Sequence, residues 1–498
     1  MKKALKPTIL ALLRGLAFIA LTACALPMLA QPDYRDDSTL PKGKPGARIQ
    51  SLIAVINAND AGRIKGFIEA ECADPFRSFV PVEEHIAQIG ELYSMTGGVD
   101  FHSIRSYTPE RPEQTVVIVK DRNYGGWHGI SLKFEAGGEQ RITEMQFSPA
   151  RTPTNIKEPD LSEAEFLPAV QSIIDKLCNK DAFSGTVLIA KGDKIILERV
   201  CGEADKGFHV ANNMDTKFNL GSMNKMFTAT AVAQLAEIGK LSFDDPISKY
   251  VDESWLPRSI TDKVTIHHLL THTSGLGSYF NDNYWKSSRE LYRAVNDYKP
   301  LVQGDTLSFT PGDRFQYSNT GMLLLGVVIE KAGGQDYFDY IRDHIYKPAG
   351  MTNTDCYELD YPIENLAIGY IPAPQSPYRW QTNTFKHVLR GGPAGGGYST
   401  VRDLYRYAQA MTGGKLVSKA LLERMWTSHS EAGYGYGYGI DETPNGKIVG
   451  HSGGFPGLNS QLNILIDKGY VVAVMSNYDQ GATPLANRII QLIGKIKS

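Results

Sequence analysis

The chain has 498 residues, of which 42% are hydrophobic and 21% are charged, and its formal net charge is -2. Such a length and composition are typical of a globular protein with two or three hydrophobic cores. The near-neutral balance, without a basic run beyond the extreme N-terminus, argues against a nucleic-acid-binding surface.

The first 30 residues have the pattern of an export signal. Three lysines and Arg14 precede the apolar run 15–30, which is too short to anchor a membrane-spanning helix. We predict a signal peptide at residues 1–30, cleaved near its end. The string Leu21-Thr22-Ala23-Cys24 also fits a bacterial lipobox, with Cys24 as the lipidated residue, and this alternative stays open. In either case we expect an exported protein, periplasmic or secreted, with membrane attachment only through Cys24.

Residues 48–150 are predicted to form a small α+β domain between two linkers, at 31–47 and 151–161. Three helical patterns of apolar residues are followed by three strand patterns, with turns between the strands. Helices followed by a strand meander are typical of an α+β domain. The element order resembles the NTF2-like cone fold, whose members often hold a pocket or a dimer interface. A structural appendage without chemistry of its own is the alternative.

Four cysteines remain beyond the predicted signal peptide, and their spacing matches no metal-binding motif. They are Cys72, Cys178, Cys201 and Cys356. We expect buried free thiols. A disulfide is the alternative, and its pairing does not follow from the spacing.

Residues 162–498 are predicted to form one compact, two-lobed unit. A helix at 161–179 and a β-hairpin at 185–201 open it, and four strand patterns and a closing helix end it. A long, mostly helical stretch lies between them. The expected architecture is therefore a sheet built from both ends of this segment, with an all-helical insert.

A candidate nucleophile, Ser222, stands three residues before Lys225 at the start of an apolar run that is predicted to be a buried helix. This spacing places both side chains on one face of the helix, with Cβ atoms about 5–6 Å apart. The positive end of the helix dipole favours an alkoxide there, and burial lowers the pKa of a lysine toward that of a general base. The pair alone is weak support, because a chain of this length contains roughly one or two such pairs by chance.

Acyl transfer from a serine also needs a group that relays the proton and an oxyanion hole. Tyr317-Ser318-Asn319 precedes a predicted helix at 322–331 and places a phenol and an amide together at the rim of a cleft. Tyr279-Phe280-Asn281 has the same Tyr-x-Asn pattern. No apolar helix follows it, and we interpret this second copy as coincidental.

The third element is His451-Ser452-Gly453-Gly454, which comes just before a predicted strand at 461–466. Glycine at this point lets the backbone approach a ligand closely. We predict that the N–H of Gly454 joins the N–H of Ser222 in an oxyanion hole.

Taken in this order, the three motifs resemble those of serine β-lactamases and penicillin-binding proteins of the class C branch. That branch includes family VIII esterases, D-aminopeptidases and D-Ala-D-Ala carboxypeptidases. The first motif is Ser222-Met223-Asn224-Lys225, and further similar stretches lie at 265–276, 348–354 and 392–404. The resemblance covers about residues 162–498. It implies the β-lactamase/transpeptidase-like fold, an antiparallel sheet flanked by helices with an all-helical insert.

The resemblance also implies the roles of the site residues. The catalytic residues are Ser222 as nucleophile, Lys225 as general base and Tyr317 as proton relay. Asn319 contacts the substrate carbonyl or Lys225. The remaining substrate and oxyanion contacts are His451, Gly453 and Gly454. No cofactor and no metal are implied, and the expected partner is a small-molecule ester, amide or peptide.

Two departures from the family pattern bear on the reaction. The β-lactamases carry Lys-Thr-Gly where this chain has His451-Ser452-Gly453. An unperturbed histidine has a pKa of about 6.5, so we expect a mostly neutral His451 and a preference for neutral esters or amides over β-lactams. No segment marks a Glu-bearing deacylation loop, so Tyr317 is expected to serve both half-reactions. A D-Ala-type carboxypeptidase, a β-lactamase and a non-turnover ligand-binding or sensor module are the alternatives.

Three other patterns suggest different chemistry and are rejected. The Gly-x-Ser-x-Gly string at 450–454 matches the nucleophile elbow of α/β-hydrolases, but no later histidine completes that triad. His268 and His272 are four residues apart, yet no Glu follows His268 as a zinc motif requires. The run Gly395-Gly396-Gly397 is expected to be a tight turn before a capped helix rather than a phosphate cradle.

Overall fold

The computed structural model describes residues 33–109, 113–157, 159–373 and 378–497. The chain separates into two compact units, and the residues described in them are 33–177 with 495–497 in the first and 178–494 in the second. The predicted signal peptide and the candidate lipidation site, at 1–30, lie outside the described residues.

The division between the units falls later than the predicted linker at 151–161. The C-terminal end of the chain returns to this region: the N–H of Leu161 donates to the carbonyl of Lys495 (2.9 Å), and the N–H of Lys497 donates to the carbonyl of Leu161 (3.1 Å). These backbone hydrogen bonds join the last residues to the first unit. The sequence prediction does not include this contact, because it uses only local patterns.

The first unit consists of helices followed by an antiparallel sheet. Its elements in chain order are β1 (Asp33–Asp37), α1 (Lys44–Ala58), α2 (Ala61–Glu71), α3 (Asp74–Arg77), α4 (Val82–Thr96), β2 (Val99–Thr108), β3 (Thr115–Asp121), β4 (Trp127–Phe134), β5 (Ile142–Pro149) and α5 (Glu163–Asn179), the last of which continues into the second unit. The strand order is β1-β2-β3-β4-β5. The main hydrophobic core of the first unit forms where apolar side chains of the helices pack against those of β3 and β4. The NTF2-like assignment stays a prediction.

Two strands of this sheet, β1 and β2, are absent from the sequence prediction. The prediction of a linker at 31–47 is therefore wrong for β1, which pairs with β2 along its whole length. The buried Asp36 carboxylate accepts a hydrogen bond from the Arg105 guanidinium, with Nε and Oδ1 2.9 Å apart. The five residues of β1 are mostly polar, and they form a strand because they pair with β2, which is distant in the sequence. Strand propensity alone does not predict this pairing.

The second unit combines one large sheet with a helical insert. Its elements in chain order are β6 (Gly185–Lys191), β7 (Lys194–Cys201), β8 (Glu203–Asp205), β9 (Val210–Ala211), β10 (Phe218–Asn219), α6 (Asn224–Glu237), α7 (Arg258–Thr261), α8 (Ile266–Leu270), α9 (Asp282–Lys286), α10 (Lys299–Val302), α11 (Asn319–Gly333), α12 (Tyr337–Ile341), α13 (Lys347–Ala349), β11 (Tyr370–Pro372), β12 (Trp380–Thr382), β13 (Tyr398–Ser399), α14 (Val401–Thr412), α15 (Lys419–Met425), β14 (Gly439–Thr443), β15 (Gly446–Phe455), β16 (Leu458–Leu465), β17 (Tyr470–Ser476) and α16 (Ala482–Gly494). The six-stranded antiparallel sheet has the order β14-β15-β16-β17-β6-β7. The predicted sheet from both ends of the segment is confirmed.

Helix α6 is the centre of the second unit. Residues 224–233 and Leu235 are buried, so neighbours cover this helix on all sides. Its polar side chains find partners both within and outside the helix: the Thr230 hydroxyl is 2.8 Å from the Met226 carbonyl, and the Thr228 hydroxyl is 2.8 Å from the Pro393 carbonyl. A helix enclosed in this way keeps every side chain near its N-terminal end, Lys225 included, away from water.

The cysteines differ in part from the expected free thiols. Cys178 at the end of α5 and Cys201 at the end of β7 form a disulfide, with Cα atoms 5.9 Å apart. Cys72 and Cys356 are free and buried, as expected. The pairing arises because the β6–β7 hairpin folds back toward the end of α5, which spacing in the sequence does not specify.

Candidate active site

The predicted serine and lysine meet at the start of α6. Ser222 lies in a short 3-10 turn, Gly221–Met223, that runs into the helix, and its Oγ is 3.0 Å from Lys225 Nζ. Lys225 is 0% exposed, whereas Ser222 is partly exposed. Burial lowers the pKa of Lys225 to about 7 because the ammonium loses its hydration. A lysine with this pKa has a large neutral fraction near pH 7, and the neutral amine is able to take the serine proton.

The other contacts of Lys225 orient its amine. Nζ lies 2.9 Å from Asn319 Oδ1 and 2.5 Å from the carbonyl oxygen of Ala394. The Asn319 amide nitrogen donates to Ser278 Oγ (3.2 Å), which supports this orientation of the amide. Both oxygens can only accept, so each takes one N–H of the amine. A neutral amine then directs its lone pair to the third neighbour, Ser222 Oγ.

Tyr317 stands beside this pair. Its ring centroid is 4.8 Å from Lys225 Nζ, and 38% of the side chain is exposed, so it borders the open side of the site. Desolvation raises the pKa of Tyr317 above its ordinary value, and the Ser222 hydroxyl lowers it in part. The phenol is therefore protonated at neutral pH, which suits a proton relay and leaves the role of base to Lys225.

Ser318 fixes both of its neighbours by capping α11. Its Oγ accepts the N–H of Gly321 (2.9 Å) and donates to the carbonyl of Gly277 (2.8 Å). A serine at this position satisfies a backbone donor of the first helical turn. Tyr317 lies just before the cap and Asn319 just after it, so the middle residue of the tripeptide holds the two candidate site residues in place.

His272 holds the same tripeptide from the other side. Its backbone carbonyl accepts the N–H of Gln316 (2.8 Å), its Nδ1 accepts the N–H of Ser318 (3.2 Å), and its ring centroid is 4.3 Å from that of Tyr317. The residue has φ 57°, a conformation that costs energy outside glycine and recurs at functional sites. Burial, with the charge of Lys225, holds the pKa of His272 well below its usual value. Sequence reasoning missed this role because the partners lie more than 40 positions later.

The rejected nucleophile-elbow and metal patterns have other roles in the fold. The string at 450–454 lies inside β15, whereas an elbow needs a sharp strand-to-helix turn. His268 accepts the N–H of Thr265 through Nδ1, as part of the cap of α8. His272 and His268 are therefore both used in backbone hydrogen bonds.

The glycine run before β13 forms a tight turn, as predicted. Gly392 and Gly395 pair through reciprocal backbone hydrogen bonds of 2.8 and 3.1 Å. The carbonyl that reaches Lys225 belongs to Ala394 within this turn. Sequence reasoning did not identify this contact, since a backbone carbonyl has no side-chain signature.

Strand β15 brings two glycines against the turn that carries Ser222. A Cβ on Gly453 would lie 1.9 Å from the carbonyl oxygen of Leu220, and a Cβ on Gly221 would lie 2.9 Å from the nitrogen of Gly454. Side chains at these positions would push the strand and the turn apart. The nitrogen of Gly454 is thus close to the residue that precedes Ser222, where the predicted oxyanion hole needs it.

The burial and the pKa of His451 differ from those expected from the sequence. It is 9% exposed, and its ring nitrogens contact the Ser452 carbonyl (Nδ1, 2.6 Å) and the Tyr434 hydroxyl (Nε2, 2.9 Å). The carbonyl requires a proton on Nδ1, so Nε2 accepts from the tyrosine. Burial lowers the pKa of His451 to about 4, and the charge of Lys225 adds to the effect. The expectation of an unperturbed pKa near 6.5 is therefore wrong, because the neutral imidazole is out of water and has both nitrogens engaged.

The second Tyr-x-Asn copy lies nearer to the site than expected, although its tyrosine belongs to the core. Tyr279 is buried, and its ring centroid is 5.0 Å from that of Tyr298. The preceding residue, Ser278, accepts the hydrogen bond from Asn319. The loop therefore borders the site through its serine, while its tyrosine packs elsewhere.

We expect Tyr317→Phe to lower kcat at least about 10-fold, because the lost hydroxyl relays a proton to the leaving group. Tyr279→Phe is the matched control: it removes one hydroxyl from the same tripeptide pattern and should stay within about 3-fold. Initial rates on an alkyl ester or an amide, whose leaving group needs a proton, measure both. The reverse ranking would show that Tyr279 is the functional copy.

Comparison with known proteins assigns the family. A β-lactamase family profile matches residues 170–495, and the chain belongs to the β-lactamase family of serine hydrolases. It is 33% identical over 347 residues to penicillin-binding protein 4* of Bacillus subtilis (strain 168), covering 64% of this chain and 75% of that protein. A penicillin-binding protein from Bacillus halodurans has 32% identity and a TM-score of 0.60, over 64% of this chain and 98% of that chain. A D-stereospecific amidohydrolase from Streptomyces sp. has 25% identity and a TM-score of 0.54, over 66% of this chain and 98% of that chain.

Proposed function

We propose that the protein hydrolyses small-molecule esters or amides, D-amino-acid peptides included, through an acyl-enzyme on Ser222. Neutral Lys225 takes the hydroxyl proton as Oγ attacks the carbonyl carbon. The N–H groups of Ser222 and Gly454 hold the charge that develops on the carbonyl oxygen. Tyr317 relays the proton from the lysine to the departing oxygen or nitrogen. Water then attacks the acyl ester, gives its proton back along the same path and releases the acid with the serine hydroxyl restored.

The contact between Lys225 Nζ and Ser222 Oγ, at 3.0 Å, is the observation that carries this proposal. The lysine is fully buried, its pKa is lowered to about 7, and two acceptor oxygens take up its N–H groups. Burial of an unpaired ammonium is costly, so a buried lysine with a purely structural role would be expected to pair with a carboxylate. The arrangement suits a base that is neutral at rest.

Neutral substrates fit the electrostatics of the site better than anionic ones. His451 occupies the position where β-lactamases carry a lysine, and its pKa of about 4 keeps it uncharged at neutral pH. A substrate carboxylate therefore gains no cation from this residue. Similarity to a D-stereospecific amidohydrolase supports amides among the substrates. We place β-lactams below them as substrates.

The site therefore predicts that substrate charge is not sensed through His451. For a neutral and an anionic ester of the same acyl group, the ratio of kcat/KM should stay constant within about 2-fold from pH 5.5 to 8, because His451 is neutral throughout this range. Titration of Lys225 affects both substrates and cancels in the ratio. A relative gain of the anionic ester as pH falls through about 6.5 would contradict the buried, neutral histidine.

Intact-mass spectrometry tests the proposal directly. The protein is exposed to alkyl and p-nitrophenyl esters, D-Ala peptides and penicillins, and the mass added to Ser222 is followed with time. We expect an acyl adduct that forms and then decays with ester or amide substrates. An adduct that never decays would support a non-turnover sensor. The absence of any adduct at Ser222 would contradict the acyl-enzyme mechanism.

We also propose that the protein acts outside the cytoplasm. The disulfide between Cys178 and Cys201 supports this proposal, since such bonds persist mainly in oxidising compartments. In the described part of the chain, no helix has the length and apolar character needed to cross a bilayer. The expected signal peptide or lipid anchor at Cys24 precedes that part.

A further inference from the structure

Three aromatic side chains, which we call the aromatic wall, lie in mutual contact: Phe280, Trp285 and Phe455. Their ring centroids are 5.9 Å (Phe280–Trp285), 6.0 Å (Phe280–Phe455) and 6.4 Å (Trp285–Phe455) apart. The corresponding angles between ring planes are 25°, 29° and 4°. Because the ring planes are nearly parallel, the faces of the three rings point in about the same direction.

Chain connectivity places two residues of the aromatic wall close to the predicted site residues. Phe455 directly follows Gly454, whose N–H is assigned to the oxyanion hole. Phe280 lies two residues after Ser278, which binds Asn319. Consecutive Cα atoms are about 3.8 Å apart, so the Cα atoms of Phe455 and Phe280 lie within about 8 Å of those of Gly454 and Ser278. Trp285 joins them through its ring contacts with both phenylalanines. The contact between Phe280 and Phe455 joins the segment that follows Ser278 to the end of β15.

The surface of the aromatic wall is apolar and accessible. Trp285 is 45% exposed, although it is a large hydrophobic side chain. The carbon of the Arg289 guanidinium is 5.4 Å from the centroid of the Trp285 ring. That guanidinium donates through Nη1 to the backbone carbonyls of Tyr284 and Ser287, which ties it to the loop. Such a surface favours a flat, uncharged group over a carboxylate.

We propose that the aromatic wall is a substrate subsite that receives an aromatic ring attached close to the scissile carbonyl. The proposal rests on the acyl-enzyme function proposed for Ser222 and specifies its substrate class. Parallel ring faces bind another ring by offset stacking and by the apolar area that the contact buries. The ring belongs either to the acyl group or to the alcohol or amine of the substrate, and the two are separable by experiment.

The test compares three esters by acid release in a pH-stat. Ethyl acetate has no ring, ethyl phenylacetate has the ring on the acyl side, and benzyl acetate has it on the alcohol side. The variants are Trp285→Ala and Phe455→Leu. Ile238→Ala is the matched control, because Ile238 is 67% exposed and follows the far end of α6, about 20 Å along the helix from Ser222.

We expect the parent enzyme to favour one of the two aromatic esters over ethyl acetate. Trp285→Ala and Phe455→Leu should lower kcat/KM for that ester about 10-fold, with ethyl acetate changed by less than about 2-fold. Ile238→Ala should change neither. Ethyl acetate hydrolysis also reports that the variants are folded, and the preferred ester shows which side of the substrate carries the ring.

Equal loss on all three esters, or no change on the aromatic ones, would overturn the subsite. A second measurement does not depend on turnover: phenylacetamide should quench tryptophan fluorescence in Ser222→Ala, and adding Trp285→Phe should remove the quench. Failure of the acyl-enzyme function has a different signature, since ethyl acetate hydrolysis in the parent would then not depend on Ser222.

Discussion

Ser222→Ala is expected to abolish acyl-enzyme formation and to lower ester hydrolysis by a factor on the order of 10⁴ or more. The variant loses the atom proposed to attack, the Oγ that lies 3.0 Å from Lys225 Nζ. The remaining donors still bind the carbonyl oxygen, so hydrolysis falls to a residual rate rather than to zero. Intact-mass spectrometry and initial rates on a p-nitrophenyl ester give the two readouts.

Ser278→Ala serves as the control for this experiment. It removes a second hydroxyl of the site, the one that accepts from Asn319, but leaves the nucleophile in place. An adduct should still form at Ser222, more slowly than in the parent. If Ser222→Ala released p-nitrophenol at the parent rate, the assignment of the whole site would be wrong.

Lys225→Met should lower kcat/KM at least about 100-fold, because the variant fills the same volume without a base. In the parent, the neutral lysine is the active form and its pKa is about 7. The parent kcat/KM should therefore rise about 10-fold per pH unit below pH 7 and level off above it. Lys240→Met, an exposed lysine beyond the end of α6, should stay within about 2-fold.

The same variant should be more stable than the parent. Lys225 is largely neutral in the folded protein above about pH 7, whereas an unfolded chain holds its proton up to a pH of about 10.4. A lowered lysine pKa thus costs stability in full below pH 7, and the cost disappears as pH rises toward 10. Thermal unfolding should show a higher Tm for Lys225→Met at pH 7 and a smaller difference at pH 9. An inactive variant with an unchanged Tm would indicate that the lysine is not desolvated as described.

The parts of the site that follow local rules were predictable from the sequence. Ser222 and Lys225 obey helical spacing, and Tyr317 and Asn319 flank a serine that caps a helix. Local patterns also predicted the β6–β7 hairpin and the sheet formed from both ends of the segment, which the structure confirms. For the helical spacing, the helix cap and the hairpin, the physical cause lies within a few residues of the motif.

The parts that were missed depend on contacts between distant residues. The carbonyl of Ala394 reaches Lys225 across 169 positions, and His272 reaches Ser318 across 46. The pKa of His451 is set by burial and by Lys225, neither of which a local pattern contains. Strand β1 has the composition of a linker and becomes a strand because β2 offers it a pairing edge.

The pairing of β17 with β6 has a consequence for the order in which the protein folds. Gly185 pairs with Ser476, 291 positions later (476 − 185), in the interior of the six-stranded sheet. Contacts of such long sequence separation form slowly, because the intervening chain must lose its freedom before the contact stabilises anything. A chain emerging from synthesis therefore forms the β6–β7 hairpin and α6 well before β15 is available. Such an intermediate carries Ser222 and Lys225 but lacks the Gly454 N–H, so we expect the proposed hydrolytic activity to arise late in folding.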